Sequence, residues 1–89
     1  MKLYNYMEGA VEEILDEIIS KTQGVCKCNR CRLDILALAL NKLPPKYAVS
    51  DKGINYTKIS LLQRQFNADI TRTVTEAIKV VSASPRHNN

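Results

Sequence analysis

The chain has 89 residues and a mass of 10.0 kDa, which suits one domain spanning residues 1–89 and leaves little room for a second. Hydrophobic residues make up 45% and charged residues 25%, an ordinary globular composition that argues against disorder. Because so short a chain buries only about 60–65% of the surface of its unfolded form, we expect a metal, disulfides or a partner subunit to supplement its core. The chain has a single histidine, near its C-terminal end, so its composition argues against a self-contained enzyme.

The sequence predicts a protein that remains in the cytoplasm. No stretch approaches the roughly 20 apolar residues that a membrane-spanning helix needs, and residues 1–10 lack the apolar segment of a secretory signal. We therefore expect a cytoplasmic protein without a membrane partner.

Three cysteines cannot pair evenly, and in a reducing compartment clustered cysteines more often bind metal or do redox chemistry.

The net charge of +4 is unevenly distributed. Residues 1–20 carry −4, residues 21–58 carry +6 and the remainder carries +2. Positive charge is therefore concentrated around the cysteines and the Pro-Pro segment, which suits an anionic partner such as a nucleotide, a nucleic acid or a phosphate. A solvated basic face explains the same pattern.

Two helices are predicted in the first half of the chain. Apolar residues recur at helical spacing through residues 3–21, with acidic residues on the opposite face, and Gly24 can end this helix. After the cysteine segment, a second helix should run to about Lys42; it is apolar nearly all round and should be the most buried element. Pro44-Pro45 ends it, because proline lacks the amide donor and restrains the residue before it.

The second half is predicted to hold an ordered loop and one long helix. The loop covers residues 43–56, with a turn at residues 51–53 and a short extended stretch at residues 47–49. From Thr57, as N-cap, a helix of about 27 residues should extend for roughly 40 Å. The first two helices are too short to cover its apolar stripe, so we predict a homodimer with two-fold symmetry. The predicted fold class is all-α, with two shorter helices and one long C-terminal helix.

Three thiols lie within six residues at the start of the second helix, in the pattern Cys26-x-Cys28-x2-Cys31. Zinc takes four tetrahedral ligands, and closely spaced cysteines supply several of them from one loop. The helix N-terminus and the basic residues among the cysteines favour thiolates over thiols. Three unliganded thiols, or a Cys28–Cys31 redox couple, are the alternatives. The redox couple lacks the βαβ pattern of a thioredoxin-like setting and leaves Cys26 over, while iron–sulfur clusters usually need four cysteines.

Three thiolates need a fourth ligand, and His87 is the only histidine. It follows the predicted long helix, where a tail can fold back to the start of the second helix. A Cys3His site would then cross-link distant parts of a small domain. Such a closed ligand set indicates structural Zn²⁺, because catalytic zinc keeps one position open. A water molecule as the fourth ligand is the alternative.

Nearly the whole sequence resembles the late competence protein ComFB family. The matching stretches are E-E-I-L-D-E-I in the first helix, C-x-C-x2-C-R-x-D-I-L-A-L-A-L-N-K-L-P-P-K-Y, then D-K-G, and a final helix ending A-I-x-V-V followed by S-P-R-H. The part from Cys26 to Tyr47 is the most specific, because the cysteine trio joined to A-L-N-K-L-P-P-x-Y is not a generic pattern. The resemblance implies a small, helical, cytosolic homodimer without known enzymatic activity, associated with competence for DNA uptake.

The resemblance also suggests a ligand. Related members that lack the cysteines are reported as receptors for cyclic di-GMP and cyclic di-AMP, and they share the region from Asn41 to Gly53. Such a ligand carries two phosphates, which basic side chains can meet, and two flat bases, on which tyrosine can stack. The candidate ligand-binding residues are Lys42, Lys46, Tyr47, Ser50, Lys52, Gln63, Arg64 and Arg72.

Three functions are therefore considered. The first is a cyclic dinucleotide receptor built on a zinc-bound helical dimer. The second is a competence accessory protein that acts only through contacts with proteins of the DNA-uptake machinery. Direct nucleic-acid binding ranks last, because a charge of +4 is modest and one Phe with four Tyr gives few stacking platforms. No nucleophile–base pair or open metal site can be assembled, so we do not expect an enzyme.

Overall fold

The computed structural model describes residues 1–50 and 55–85. Its elements in chain order are β1 (Lys2–Asn5), α1 (Tyr6–Lys21), α2 (Asn29–Lys42), β2 (Tyr47–Ser50), α3 (Tyr56–Gln65) and α4 (Asn67–Ala83). The mainly helical fold predicted from the sequence is confirmed. None of the helices in these two ranges is long and apolar enough to cross a membrane. The turn predicted at residues 51–53 lies outside the described residues, and the homodimer stays a prediction.

The first residues form a strand, where the apolar pattern predicted the start of a helix. β1 pairs antiparallel with β2, with Leu3 opposite Val49. Asn5 sets the boundary between β1 and α1: its Oδ1 accepts a hydrogen bond from Met7 N at 3.1 Å, as an N-cap, and another from Lys46 N at 2.8 Å. The same side chain therefore starts α1 and attaches the segment leading into β2. The short extended stretch predicted at residues 47–49 is confirmed.

The single long C-terminal helix expected from the sequence is divided into α3 and α4 at Phe66. This residue has φ −116° and ψ 18°, outside the helical region, and it caps both helices. Its N–H still donates to Leu62 O at 2.9 Å, and its carbonyl accepts from Ile70 N at 2.8 Å. At the N-terminal end of α3, the N-cap is Asn55 rather than Thr57. The Asn55 side chain accepts hydrogen bonds from the backbone N–H groups of Thr57 and Lys58. The division lets α3 pack on α1 while α4 packs mainly on α2.

The core is centred on α1, which packs against α2, α3 and α4. Seven residues of α1 are buried, compared with three of α2, so the expectation that α2 is the most buried helix is not met. The apolar outer face of α2 has no helix against it in the described chain, and Leu33 there is 47% exposed. Gly9 allows α3 to approach closely, since a Cβ at this position would lie 2.8 Å from Ile59 Cδ1. The largest fully buried side chains are Met7, Leu15, Ile35, Ile70, Val11, Val74 and Cys31.

Arg32 joins α2 to the acidic face of α1. Its guanidinium donates to both carboxylate oxygens of Asp16, at 2.8 and 3.0 Å, and to Glu12 Oε2 at 2.7 Å. Bidentate pairing of this kind is stronger than a single-point surface ion pair. The hydrogen bond from Arg32 lowers the pKa of Asp16 below its ordinary value, and the two acids in turn raise the pKa of Arg32.

This ion pair makes a prediction about pH. Because the folded pKa of Asp16 is depressed, its contribution to stability is present above the unfolded pKa of about 4 and is lost as pH falls through the folded value. We expect Arg32→Gln to lower the free energy of unfolding by up to about 1 kcal/mol at pH 7, since both acids are half exposed. Urea unfolding at pH 7 and pH 3 should show a smaller difference between the two proteins at pH 3.

Arg30→Gln is the matched control. Arg30 Nε contacts Asp34 Oδ2 at 3.3 Å within α2 itself, so its loss should cost no more than about 0.5 kcal/mol. An Arg32→Gln effect of the same size at both pH values would contradict the role assigned to Asp16.

Candidate metal centre

The loop between α1 and α2 brings the cysteine segment back against the core. Thr22 is the C-cap of α1. Its N–H donates to Ile19 O at 3.2 Å, and its hydroxyl donates to Ile18 O at 2.7 Å. Gly24 follows with φ +79°, a left-handed conformation that glycine adopts without strain. The reversal at Gly24 starts the segment that carries the first cysteine.

The three cysteine sulfurs lie within 4.8 Å of one another. Cys28 is the N-cap of α2, and its Sγ accepts a hydrogen bond from Cys31 N at 3.4 Å. Four sulfur ligands of a tetrahedral zinc would lie about 3.8 Å apart, given Zn–S bonds of about 2.3 Å. The sulfurs therefore need to move by only about an ångström to share one ion. This cluster can hold a metal ion.

Burial differs across the cluster. Cys31 is 2% exposed, Cys26 is partly buried and Cys28 is exposed. The side chain of Cys31 belongs to the core, whereas that of Cys28 meets solvent. An ion bound here would lie at the surface of the core, with access from the Cys28 side.

The protonation of Cys31 differs from the sequence-based expectation. Burial, together with hydrogen bonds to the two neighbouring thiols, raises the pKa of Cys31 to about 12. The nearby arginines do not oppose this effect, since Arg30 pairs with Asp34 and Arg32 pairs with the acids of α1. Without a metal ion Cys31 is therefore a thiol at neutral pH, and a bound cation must supply the positive charge that stabilises its thiolate.

The end of α4 lies beside the cluster. A cavity of about 100 Å³ is lined by Cys26 and Cys31 on one side and by Val81, Ser82 and Pro85 on the other. Pro85 is the last described residue, so the predicted fourth ligand, His87, lies outside the described part of the chain. His87 is two positions beyond Pro85, and an extended chain spans about 7 Å over two positions.

The candidate ligand-binding residues lie in several places. Lys46 and Tyr47 line one cavity, between β2 and α3. Gln63 and Arg64 line a different one, together with Glu13 and Glu17 of α1. Two further candidates, Lys42 and Arg72, line neither of these cavities. Lys42 is in the last turn of α2, and Arg72 pairs with Asp69 at 3.2 Å. Lys52 and the side chain of Ser50 lie outside the described part of the structure.

The cavity between β2 and α3 also contains residues that sequence reasoning missed. Tyr6 and Lys58 line it, and the Lys58 ammonium lies 5.8 Å from the centre of the Tyr6 ring. Tyr6 is fixed there because its N–H donates to Lys46 O at 2.8 Å. No local motif joins these residues, because Tyr6 lies near the N-terminus and Lys58 is more than fifty positions further along the chain. The only signal in the sequence is the general excess of lysine in the middle segment.

The fold and the thiol cluster define a small helical protein with a candidate metal centre at the start of its second helix. The family model of the late competence development protein ComFB matches residues 4–85. Among curated relatives, the competence protein ComFB of Bacillus subtilis (strain 168) is 39% identical over 83 residues, covering 93% of this chain and 85% of the relative. A solved structure of the late competence protein ComFB from Bacillus subtilis aligns with a TM-score of 0.77 and 38% identity, over 94% of this chain and 92% of that one. The chain therefore belongs to the ComFB family, as its resemblance predicted.

The state of the thiols predicts how metal affinity depends on pH. Each thiol must lose its proton to bind, and Cys31 holds its proton up to a pKa of about 12 in the absence of metal. Affinity for Co²⁺, followed by its thiolate absorption, should therefore rise by about tenfold per pH unit for each proton displaced. Cys31→Ser should bind more weakly and show a shallower dependence on pH. Affinity that is constant between pH 6 and pH 8 would contradict coordination by these thiols.

Proposed function

We propose that this chain is a non-enzymatic ComFB protein whose fold is cross-linked by one structural zinc ion, held by Cys26, Cys28, Cys31 and His87. The observation that carries the proposal is the grouping of three sulfurs within 4.8 Å beside the C-terminal end of α4. The names of the family and of the relatives connect these proteins with competence. We extend that connection to this chain.

Zinc fits the donor set better than the other common cations. Mg²⁺ and Ca²⁺ prefer oxygen ligands, whereas thiolate and imidazole together favour zinc. Four protein ligands leave no open coordination position, which is the arrangement of a structural rather than a catalytic ion. The only histidine would then be a ligand and unavailable as a general base, which supports a non-enzymatic role.

The ion would connect parts of the chain that are distant in sequence. Cys26 and Cys28 come from the α1–α2 loop and Cys31 from α2, while His87 follows α4. α2 and α4 already pack against each other, so the ion would close their contact at one end. In small domains such ions contribute on the order of 10–16 kcal/mol at neutral pH, which is comparable to the whole stability of an ordinary domain.

Removal of the metal tests this proposal. Untagged protein should contain one zinc per chain by elemental analysis, and a chelator should lower the melting temperature markedly. Cys28→Ser should lose more zinc affinity than His87→Ala, because water can replace one ligand on the tail, whereas Cys28 supplies one of the three clustered thiolates. Asn88→Ala is the control and should bind as the original chain does. Protein that lacks stoichiometric metal, or that melts unchanged in chelator, would refute the zinc proposal.

We also propose that two copies associate through α2 and α4. The groove between these helices has a volume of about 510 Å³ and is lined by Ala37, Leu38 and Val80 among others. Val80 is 54% exposed and Leu33, on the adjoining face of α2, is 47% exposed. Burying these side chains in a two-fold interface would cover the apolar surface that the described chain leaves open.

A second candidate function is the binding of a cyclic dinucleotide. The cavity between β2 and α3 favours it, because Lys46 and Lys58 can meet phosphate while Tyr6 and Tyr47 provide aromatic rings. Tyr47 is 62% exposed and can therefore stack on a base. The two lysines carry the electrostatic part of this proposal, since their side chains converge on the cavity from different elements.

Calorimetry decides between a nucleotide receptor and a protein that acts only through protein contacts. Micromolar cyclic di-GMP or cyclic di-AMP should release heat on binding, and Lys46→Glu should weaken the affinity at least tenfold. Lys79→Glu is the matched control: Lys79 lies on the exposed surface of α4 and does not line the cavity, so its reversal should change affinity less than twofold. Absence of heat with both nucleotides would favour the protein-contact role, and tight binding of DNA with a steep salt dependence would favour a nucleic-acid role.

A further inference from the structure

The cavity between β2 and α3 lies along the edge of a strand. Within the described residues the sheet has two strands, so β2 has a strand neighbour on one side only. Lys46, Tyr47 and Ala48 are consecutive, and all three line the cavity of about 220 Å³. Tyr47 and Ala48 belong to β2, and because successive side chains of a strand point to opposite faces, a cavity that touches both lies beside the edge of the strand rather than over one face.

The opposite wall of the cavity is one face of α3. Lys58, Leu61 and Leu62 line it, and their spacing places them together on the helix surface. Leu61 is 44% exposed on this wall, and Tyr47 is 62% exposed across from it. A groove with a strand edge on one side and an apolar helix face on the other accepts an extended chain, which pairs with the edge and inserts alternate side chains.

The charge of the groove specifies what kind of chain it accepts. Among the described residues that line the cavity, lysine is the only charged type. The ammonium of Lys46 lies 5.0 Å from the centre of the Phe66 ring, and that of Lys58 lies beside Tyr6. The two ammonium groups therefore lie over different aromatic rings, one at the C-terminal end of α3 and one at the start of α1.

We propose that this cavity is a docking groove for an extended acidic segment of a partner protein, which adds as a strand beside β2. Acidic side chains of that segment pair with Lys46 and Lys58, and an apolar side chain between them enters the cavity against Leu61. A second copy of this chain fits less well, because pairing two β2 edges would bring the same two lysines of each copy together. The proposal does not depend on nucleotide binding, since its test contains no nucleotide.

Peptide selection provides the test. A random decapeptide library displayed on phage is selected against the full chain loaded with zinc, and the enriched peptides are synthesised with a fluorophore. We expect enrichment of sequences in which acidic residues flank an apolar one. Fluorescence anisotropy should show binding that weakens at least tenfold in the double variant Lys46→Glu/Lys58→Glu. The charge-matched control Lys79→Glu, on the exposed surface of α4, should change affinity less than twofold.

Two further measurements separate strand addition from other modes. N-methylation of alternate peptide amides, with every side chain retained, should weaken binding at least tenfold when the peptide hydrogen-bonds to β2. Tyr47→Ala should weaken binding even where the lysine variants fail to fold, because its side chain is largely exposed and lies outside the core. Enriched peptides without an acidic preference, or unchanged affinity in the lysine variants, would overturn the proposal. Loss of self-association of the lysine variants in sedimentation would also overturn it, because that result would assign the groove to a second copy.

Discussion

The apolar stripe of α1 is the constraint on which the rest of the structure depends. It is the one element against which α2, α3 and α4 all pack, and it supplies the largest share of the buried side chains. In so short a chain one helix must serve the whole core, because the surface is large relative to the enclosed volume. The remaining helices are therefore covered on the side facing α1 and partly uncovered elsewhere. Leu33 and Val80, on the outer faces of α2 and α4, illustrate this.

The two ends of α1 are held in place by different interactions. At the beginning, Asn5 caps the helix and also binds the backbone of Lys46, so the sheet and the helix start are attached to each other. Beyond the other end lies the cysteine loop, which reaches the core through Cys31. Arg32 supports this region by holding α2 to Asp16 and Glu12. Its engagement there also explains why positive charge near the cysteines does not make Cys31 acidic.

The proposed roles divide between two regions of the molecule. A zinc ion at the cysteine cluster would act on stability, because it joins the loop, α2 and the segment after α4. The cavity between β2 and α3 would act on recognition, through lysines that no acidic side chain among its described lining residues neutralises. A cyclic dinucleotide and an acidic peptide would occupy the same space there and would exclude each other. Competition of that kind would give a nucleotide receptor a means of releasing a protein partner.

The sequence by itself determined the features that depend on local pattern. The helical stripe of α1, the end of α2 before Pro44 and the grouping of three thiols follow from spacing along the chain, and the family follows from the match over residues 4–85. Only the tertiary structure decided that residues 2–5 form a strand, because their partner lies more than forty positions away and Asn5 binds Lys46. It also decided the break at Phe66. The apolar pattern is continuous through this residue, but α3 before it packs on α1 and α4 after it packs mainly on α2. The contact between Tyr6 and Lys58 could not be predicted from the sequence either. Periodicity shows which residues share one face of a helix, but not which faces pack against each other.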